Sequence, residues 1–169
     1  IQAAWCAQDL STVRPFISDG IAERFSLQFD EQRDMGERNQ MDRTAIHRMS
    51  VAAVQSGPVF DVLSVRIVAS AVDYYVSLQS GRRLRGSTKP QEFVEVWSWL
   101  RRRGVKTRTG NGLIEGNCPN CGALVELNQW SNCKHCGALL RSGEYDWVLA
   151  EITQECEWRM PTGPVPGVA

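Results

Sequence analysis

Across residues 1–32, apolar side chains return at three- and four-residue steps: Val13, Phe16, Ile17, Ile21, Phe25 and Phe29. That spacing stacks them on one face of a helix. Ser11 or Thr12 is placed to cap it, and Pro15 is tolerable only in the first turn. A shorter helix carrying Trp5 is expected before it. The charged run DEQRDMGERNQMDR (30–43) contains Gly36 and Asn39 and is expected to be a connector.

Beyond residue 44 the period changes. AIHRMSVAAV (45–54) fits either a strand or a short helix. After the Gly57-Pro58 turn, VFDVLSVRIVASAVDYYVSL (59–78) is rich in β-branched and aromatic residues. It predicts a long strand with both faces at least partly covered. One face carries Leu63, Val65, Ile67 and Ala69, the other Phe60, Val62, Val68 and Val72. SGRRLRGSTKP (80–90) is a turn-rich connection. A second strand, QEFVEVWSWLRRR (91–103), sets Phe93, Trp97 and Trp99 against Val94, Val96 and Leu100. A third, YDWVLAEITQ (145–154), alternates Tyr145, Trp147 and Leu149 against Val148 and Ile152. The Pro/Gly-rich end, residues 157–169, is expected to be a disordered tail. No internal repeat stands out. Helices first and long strands afterwards favour α+β over an alternating parallel sheet.

The 169 residues allow one well-packed domain, or one domain with a small insert. Charge changes the picture only locally, because 19 basic residues cancel 19 acidic ones. Residues 82–108 concentrate Arg82, Arg83, Arg85, Lys89, Arg101, Arg102, Arg103, Lys106 and Arg108 against Glu92 and Glu95. A local basic surface follows from that imbalance. No apolar run approaches the ~18 residues that span a bilayer, and no signal peptide is recognisable. The chain opens on Ile1 inside a helical pattern, so it is expected to be a fragment of a longer protein.

The strongest chemical signal is CPNCGALVELNQWSNCKHCG (118–137), two Cys-x-x-Cys turns each followed by Gly. Each turn offers two sulfurs from one tight loop, and Gly122 and Gly137 suit the sharp turn after the second sulfur. Cys118, Cys121, Cys133 and Cys136 are therefore expected to hold one Zn2+ in a zinc ribbon spanning 112–142, with iron in the same cage as the alternative. Four protein thiolates leave no open position, so the metal is structural. The ribbon would close a hairpin too short to hold its own core. Residues 118–137 hold one Lys, no Arg and one aromatic, Trp130, which argues against nucleic acid as the ribbon's partner. His135 is expected to face solvent. Cys6 and Cys156 are expected to be buried small hydrophobes.

The remaining chemistry is sparse. No G-x-S-x-G occurs, and the glycines of GNGLIEG (110–116) have the wrong spacing for a phosphate loop. Asp73, followed by Tyr74 and Tyr75, is the most suggestive polar set; strand-end solvation with sheet-packing tyrosines is the competing reading. His47 reads first as a satisfied residue of its element, and Arg101–Arg103 as a solvated strand end, with an anion or lipid contact as the alternative.

Taken together, AAWCAQDLSTVRPFISDGIAERF, ERNQMDRTAIHRMSV, VRIVASAVDYYVSLQSG and EFVEVWSWLRR, in that order and with the ribbon before the last strand, resemble the Tim-forty-four-like domain. That family is named after the membrane-tethering subunit of the mitochondrial inner-membrane import motor, and bacterial members with such a ribbon look closest. The resemblance covers roughly residues 3–156. It implies a nuclear-transport-factor-two-like cone: N-terminal helices packed on a curved antiparallel sheet around an apolar pocket, with the ribbon inserted in a domain of residues 1–156. It further implies a non-enzymatic, membrane-associated binding module, concerned with protein transport or tethering. Its partner would be membrane lipid or a membrane protein. The module would sit at the cytoplasmic face of the membrane, tethered by an N-terminal region. On that reading Phe29, Val68, Trp97 and Trp147 line the pocket, and Arg82, Arg83, Arg85, Arg101, Arg102 and Arg103 contact anionic lipid. The mitochondrial subunit lacks the ribbon, which weakens transport by analogy. The alternatives are an enzyme of the same cone fold, isomerase- or dehydratase-like, using Asp73 or His47, and RNA or ribosome docking through residues 82–108.

Overall fold

Ser18, rather than Ser11 or Thr12, starts the main helix. The computed structural model describes residues 1–106, 110, 112–126 and 131–162. In it a short helix α1 (Gln2–Ala7) and a single 3-10 turn (Arg14–Phe16) precede helix α2 (Asp19–Asp34). Pro15 sits in the 3-10 turn, and Ile17 behind it is extended, at ψ 145°. Ile17 bridges to Leu149, and the Ser18 N–H donates to the Leu149 carbonyl at 2.8 Å. The backbone thus leaves helical geometry to pair with a strand before the helix can begin. Ser18 Oγ then accepts from the Ile21 N–H at 3.3 Å, and Asp19 supplies negative charge to the first turn. Ile21, Ala22, Phe25, Phe29 and Gln32 form the buried stripe. Trp5 of α1 lies on it, 5.0 Å from the Phe25 ring and 5.2 Å from Phe29.

The expected connector at 30–43 is not one. Helix α2 runs to Asp34, Gly36 turns the chain at φ 68°, and strand β1 (Glu37–Ser56) begins at once. Its polar start is stabilised by tertiary partners that outweigh strand propensity. Buried Asn39 accepts from Trp5 Nε1 at 2.8 Å and donates Nδ2 to Asp73 at 2.6 Å; its own N–H donates to Gln32 Oε1 at 2.8 Å. Buried Glu37 pairs with Arg85.

Four long strands run antiparallel in the order β1, β2 (Phe60–Ser77), β4 (Gln91–Arg102), β5 (Val148–Gln154). The connection at 80–90 contains a further short strand, β3 (Arg83–Gly86), paired with the end of β2. Only glycine fits its last position, since a Cβ on Gly86 would lie 2.4 Å from Tyr74 Cα. The result is α+β, helices on one face of an open antiparallel sheet.

Cross-strand register assigns the faces. Leu63, Val65 and Ile67 of β2 stand opposite Trp99, Trp97 and Glu95 of β4. The third strand starts at Val148, so Tyr145 and Trp147 lie outside it, and its alternation is not regular. A bulge opposite Ser98 and Trp99 shifts the register, so that Leu149 and Ile152 both face α2. They join Ile17, Ile21, Ala22, Phe25, Phe29, Trp97 and Trp99 in the main core. The other face holds buried Val96 and a buried Ser64–Ser98 hydroxyl pair at 2.8 Å. Past β5 the chain crosses this face: Glu155 pairs with Arg66 at 2.5 and 3.2 Å, and Gln55 Nε2 donates to the Pro161 carbonyl at 3.1 Å. The expected disordered tail is therefore described as far as Thr162; residues 163–169 lie outside the described residues.

Candidate metal centre and apolar sheet face

An internal repeat, missed in the sequence, builds the cysteine module. Asn117-Cys118-x-x-Cys121-Gly122-Ala123-Leu124 recurs as Asn132-Cys133-x-x-Cys136-Gly137-Ala138-Leu139. The backbone repeats with it. Cys118 and Cys133 donate N–H to the carbonyls of Ala123 and Ala138 at 2.7 and 2.9 Å. Gly122 and Gly137 donate back to Cys118 and Cys133 at 2.7 and 2.8 Å, at φ 76° and 75°. Bridges Asn117–Leu124 and Asn132–Leu139 close each unit. The signal was present in the shared N-C-x-x-C-G-A-L, but at eight residues it is shorter than any structural repeat sought by length.

The two turns face each other, and all four sulfurs lie within 4.8 Å of one another. Cys118 and Cys136 Sγ are 3.8 Å apart, Cys121 and Cys133 Sγ 3.9 Å. Disulfides need about 2.05 Å. A tetrahedron of sulfurs about 2.3 Å from a central ion has edges of about 3.8 Å, so the donor set fits a thiolate-bound dication. Cys118 and Cys133 are buried, Cys121 and Cys136 exposed. Burial pushes the Cys118 thiol up to about 12. The Asn120 carboxamide, helped by the Ala138 N–H, draws Cys136 down to about 6. A bound dication would offset that burial cost and keep the Cys118 sulfur ionised at neutral pH.

The module is fastened to the start of α2. Arg141 donates to Asp19 from Nε at 2.7 Å and Nη2 at 3.0 Å, and Arg14 also pairs with Asp19. Those cations hold the Asp19 carboxyl below its ordinary range. Phe16 packs on Leu113, Cys118, Cys133 and Leu140. Between the module and residues 11–16 an open groove of about 410 Å³ is lined by Thr12, Phe16, Leu113 and Val125. Trp130 and Arg108 lie outside the described residues. Cys6 is half-buried, its Sγ accepting from the Met41 N–H at 3.3 Å, whereas Cys156 is exposed, contrary to the expected burial.

A second site comes from the segment with ambiguous period. Ile46, Met49, Val51 and Val54 are 58–66% exposed. Their spacing of three, two and three fits neither strand nor helix. Register shifts between Ile46 and Arg48 and between Val51 and Ala53 reconcile it: all four fall opposite Ala69, Ile67, Val65 and Leu63, on the sheet face that α2 covers further along. An unbroken strand would turn Ile46 and Met49 to opposite faces. Arg43 and Arg48 on the same strand are exposed and make no side-chain pair among the described residues.

The expected basic set does not form one patch. Arg83 and Arg85 stack over Tyr74 and Tyr75 at 3.8 and 3.5 Å. Arg101 and Arg102 stack over Trp147 and Phe60 at 4.3 and 5.5 Å, and Arg102 pairs with Glu144 at 3.4 Å. The two groups sit at opposite ends of β2, about 50 Å of strand apart. Arg82 and Arg103 are exposed. Nor do the four expected pocket residues meet. Phe29 and Trp97 share the packed core, Val68 stands opposite Val94 on the other sheet face, and Trp147 lies under Arg101. Asp73 and His47 are separated likewise: Asp73 accepts from Asn39, while His47 Nε2 lies 2.8 Å from Ser70 Oγ. Ser70 and Asp73 are three residues apart on β2 and face opposite ways.

Fold and site together define an α+β domain of the nuclear-transport-factor-two-like cone type carrying a four-cysteine cluster. The Tim44-like domain family matches residues 1–113, and the chain belongs to that family. The matched span covers the helices and β1 to β4 and ends before the first cysteine of the cluster. No curated protein matches the chain. Among the described residues no helix is long and apolar enough to cross a membrane.

Proposed function

We propose that the chain is a non-enzymatic binding module acting at a membrane, whose ligand is the apolar part of an anionic lipid. The observation that carries this is the exposed row Ile46, Met49, Val51 and Val54. Four large aliphatic side chains in one strand, in line with half-buried Leu63 and Val65, form a contiguous apolar surface of the kind that marks interaction sites. Arg43, exposed on the same strand, with Arg82 and Arg103 at the sheet ends, supplies charge for headgroups, at about 1 kcal/mol for each cation near an anionic surface. Membership in the Tim44-like family supports placement at a membrane, and we set the module at its cytoplasmic face. Transport or tethering of proteins is the process that family suggests. Asp73 is held by Asn39, and His47 lies beside Ser70 in an exposed contact, so each is engaged within the sheet, which supports binding.

In this reading residues 1–156 form the domain, and residues 112–142 form an inserted ribbon closed by one structural zinc on Cys118, Cys121, Cys133 and Cys136. The lipid claim is tested by co-sedimentation with neutral and anionic vesicles at low and high salt. Salt-sensitive capture by anionic vesicles, lost in Val51→Asp, is expected; equal capture of Val51→Asp and the unaltered chain would refute it. Metal analysis of the purified chain checks the zinc: near one zinc per chain is expected, and iron or no metal contradicts it.

A further inference from the structure

The two cysteine turns repeat each other except between their sulfurs, where Pro119-Asn120 stands against Lys134-His135. Asn120 reaches both turns. Its backbone N–H, with that of Cys121, donates to the Cys118 sulfur. Its side-chain Nδ2 crosses to the other turn and lies 3.4 Å from Cys136 Sγ. His135, at the matching repeat position, makes no such contact among the described residues. Cys136 is the exposed sulfur of its turn, and Cys133 the buried one. A solvent-facing thiolate is the ligand that water, acid and competing chelators reach first. An N–H aimed at it fixes its direction and occupies a lone pair that an incoming proton would otherwise use.

We infer that Asn120 is a positioning residue of the metal centre, holding the exposed Cys136 thiolate on the ion and slowing metal loss from the solvent side. This rests on reading the four cysteines as a metal centre. The unequal pair Asn120 and His135 makes it testable inside one protein, because a general effect of trimming a turn would appear at both positions.

The experiment follows release of zinc from the full, metal-loaded chain to an excess of a chelating dye. Asn120→Ala and the isosteric Asn120→Asp, which keeps the shape and removes the donor, are expected to lose zinc about ten-fold faster. His135→Ala is expected to match the unaltered chain. In the cobalt-substituted chain, the sulfur-to-cobalt absorption band should shift in both Asn120 variants and stay in place in His135→Ala. Unchanged release in Asn120→Ala and Asn120→Asp would overturn the inference, as would equal acceleration in His135→Ala. An unaltered chain that takes up neither zinc nor cobalt would overturn the metal reading and this inference with it. A metal-loaded chain indifferent to Asn120 overturns this inference alone.

Discussion

The two cores of this molecule are built on different physics. Under α2, Ile17, Ile21, Phe25, Phe29 and Leu149 are buried against Trp5, Trp97, Trp99 and Ile152, drawn from both helices and two strands. Burying each such large side chain is worth about 1.5–3 kcal/mol, which is ample for a helix on a sheet. The cysteine module has Leu113 and Leu140, and its other two buried members are cysteines. A segment that small cannot order itself by apolar burial alone, so ligation of a metal by the four cysteines would take that role. One core draws on many side chains, and the other would depend on a single ion.

The sharpest way to break the comparison is at the ion. Cys133→Ser should abolish metal binding and unfold the module, read as loss of amide protection over the described parts of 112–142, with the sheet still protected. Loss of protection across the sheet as well would show that the cores are one cooperative unit. Phe25→Ala is the counterpart, expected to cost about 3–5 kcal/mol in denaturant unfolding. Metal content should be unchanged, and zinc release from the folded variant would contradict independence.

A smaller effect is expected where the cores touch. Asp19 is mostly exposed, so Asp19→Ala should cost about 1 kcal/mol or less. Its folded pKa lies below 3.8 because the Arg141 hydrogen bond, and to a lesser extent Arg14, favours the carboxylate. Asp19 therefore contributes stability that is complete above its unfolded pKa and lost as pH falls through the lower folded value. A stability difference between the native chain and Asp19→Ala that persists below that window would disprove the charge pairing. The least effect on folding belongs to Val51→Asp, within about 0.5 kcal/mol, although vesicle binding should disappear. A large loss of stability there would mean that the apolar row is core and not surface.

Local pattern carried much of this. The runs at 59–78 and 91–103 are strands because β-branched and aromatic residues alternate there, and the faces assigned to Trp97 and Trp99 hold throughout β4. The cysteine cluster was legible because Cys-x-x-Cys followed by Gly fixes a turn within a few residues, independent of the rest of the chain. Where two parts of the chain must meet, pattern failed. Pro15 and Ile17 looked helical until the backbone of Ile17 and Ser18 was claimed by Leu149. Residues 37–43 looked like a connector because the partners of Glu37 and Asn39 lie tens of residues away, at Arg85, Trp5 and Asp73.

Bulges account for the remaining differences. Period two predicts opposite faces for Ile46 and Met49, and for Leu149 and Ile152, yet each pair shares one face because an inserted residue changes the register. That insertion is set by hydrogen bonding to the neighbouring strand. What the chain determined alone was therefore the short-range chemistry: the amphipathic helix, two strands, and four cysteines in tight turns. Tertiary structure alone decided where α2 begins, which side of the sheet β1 and β5 present, and that the arginine groups lie at opposite ends of β2. The physical reason is that a side chain's direction follows from its own backbone, but its neighbours follow from which distant backbone claims the adjoining hydrogen bonds.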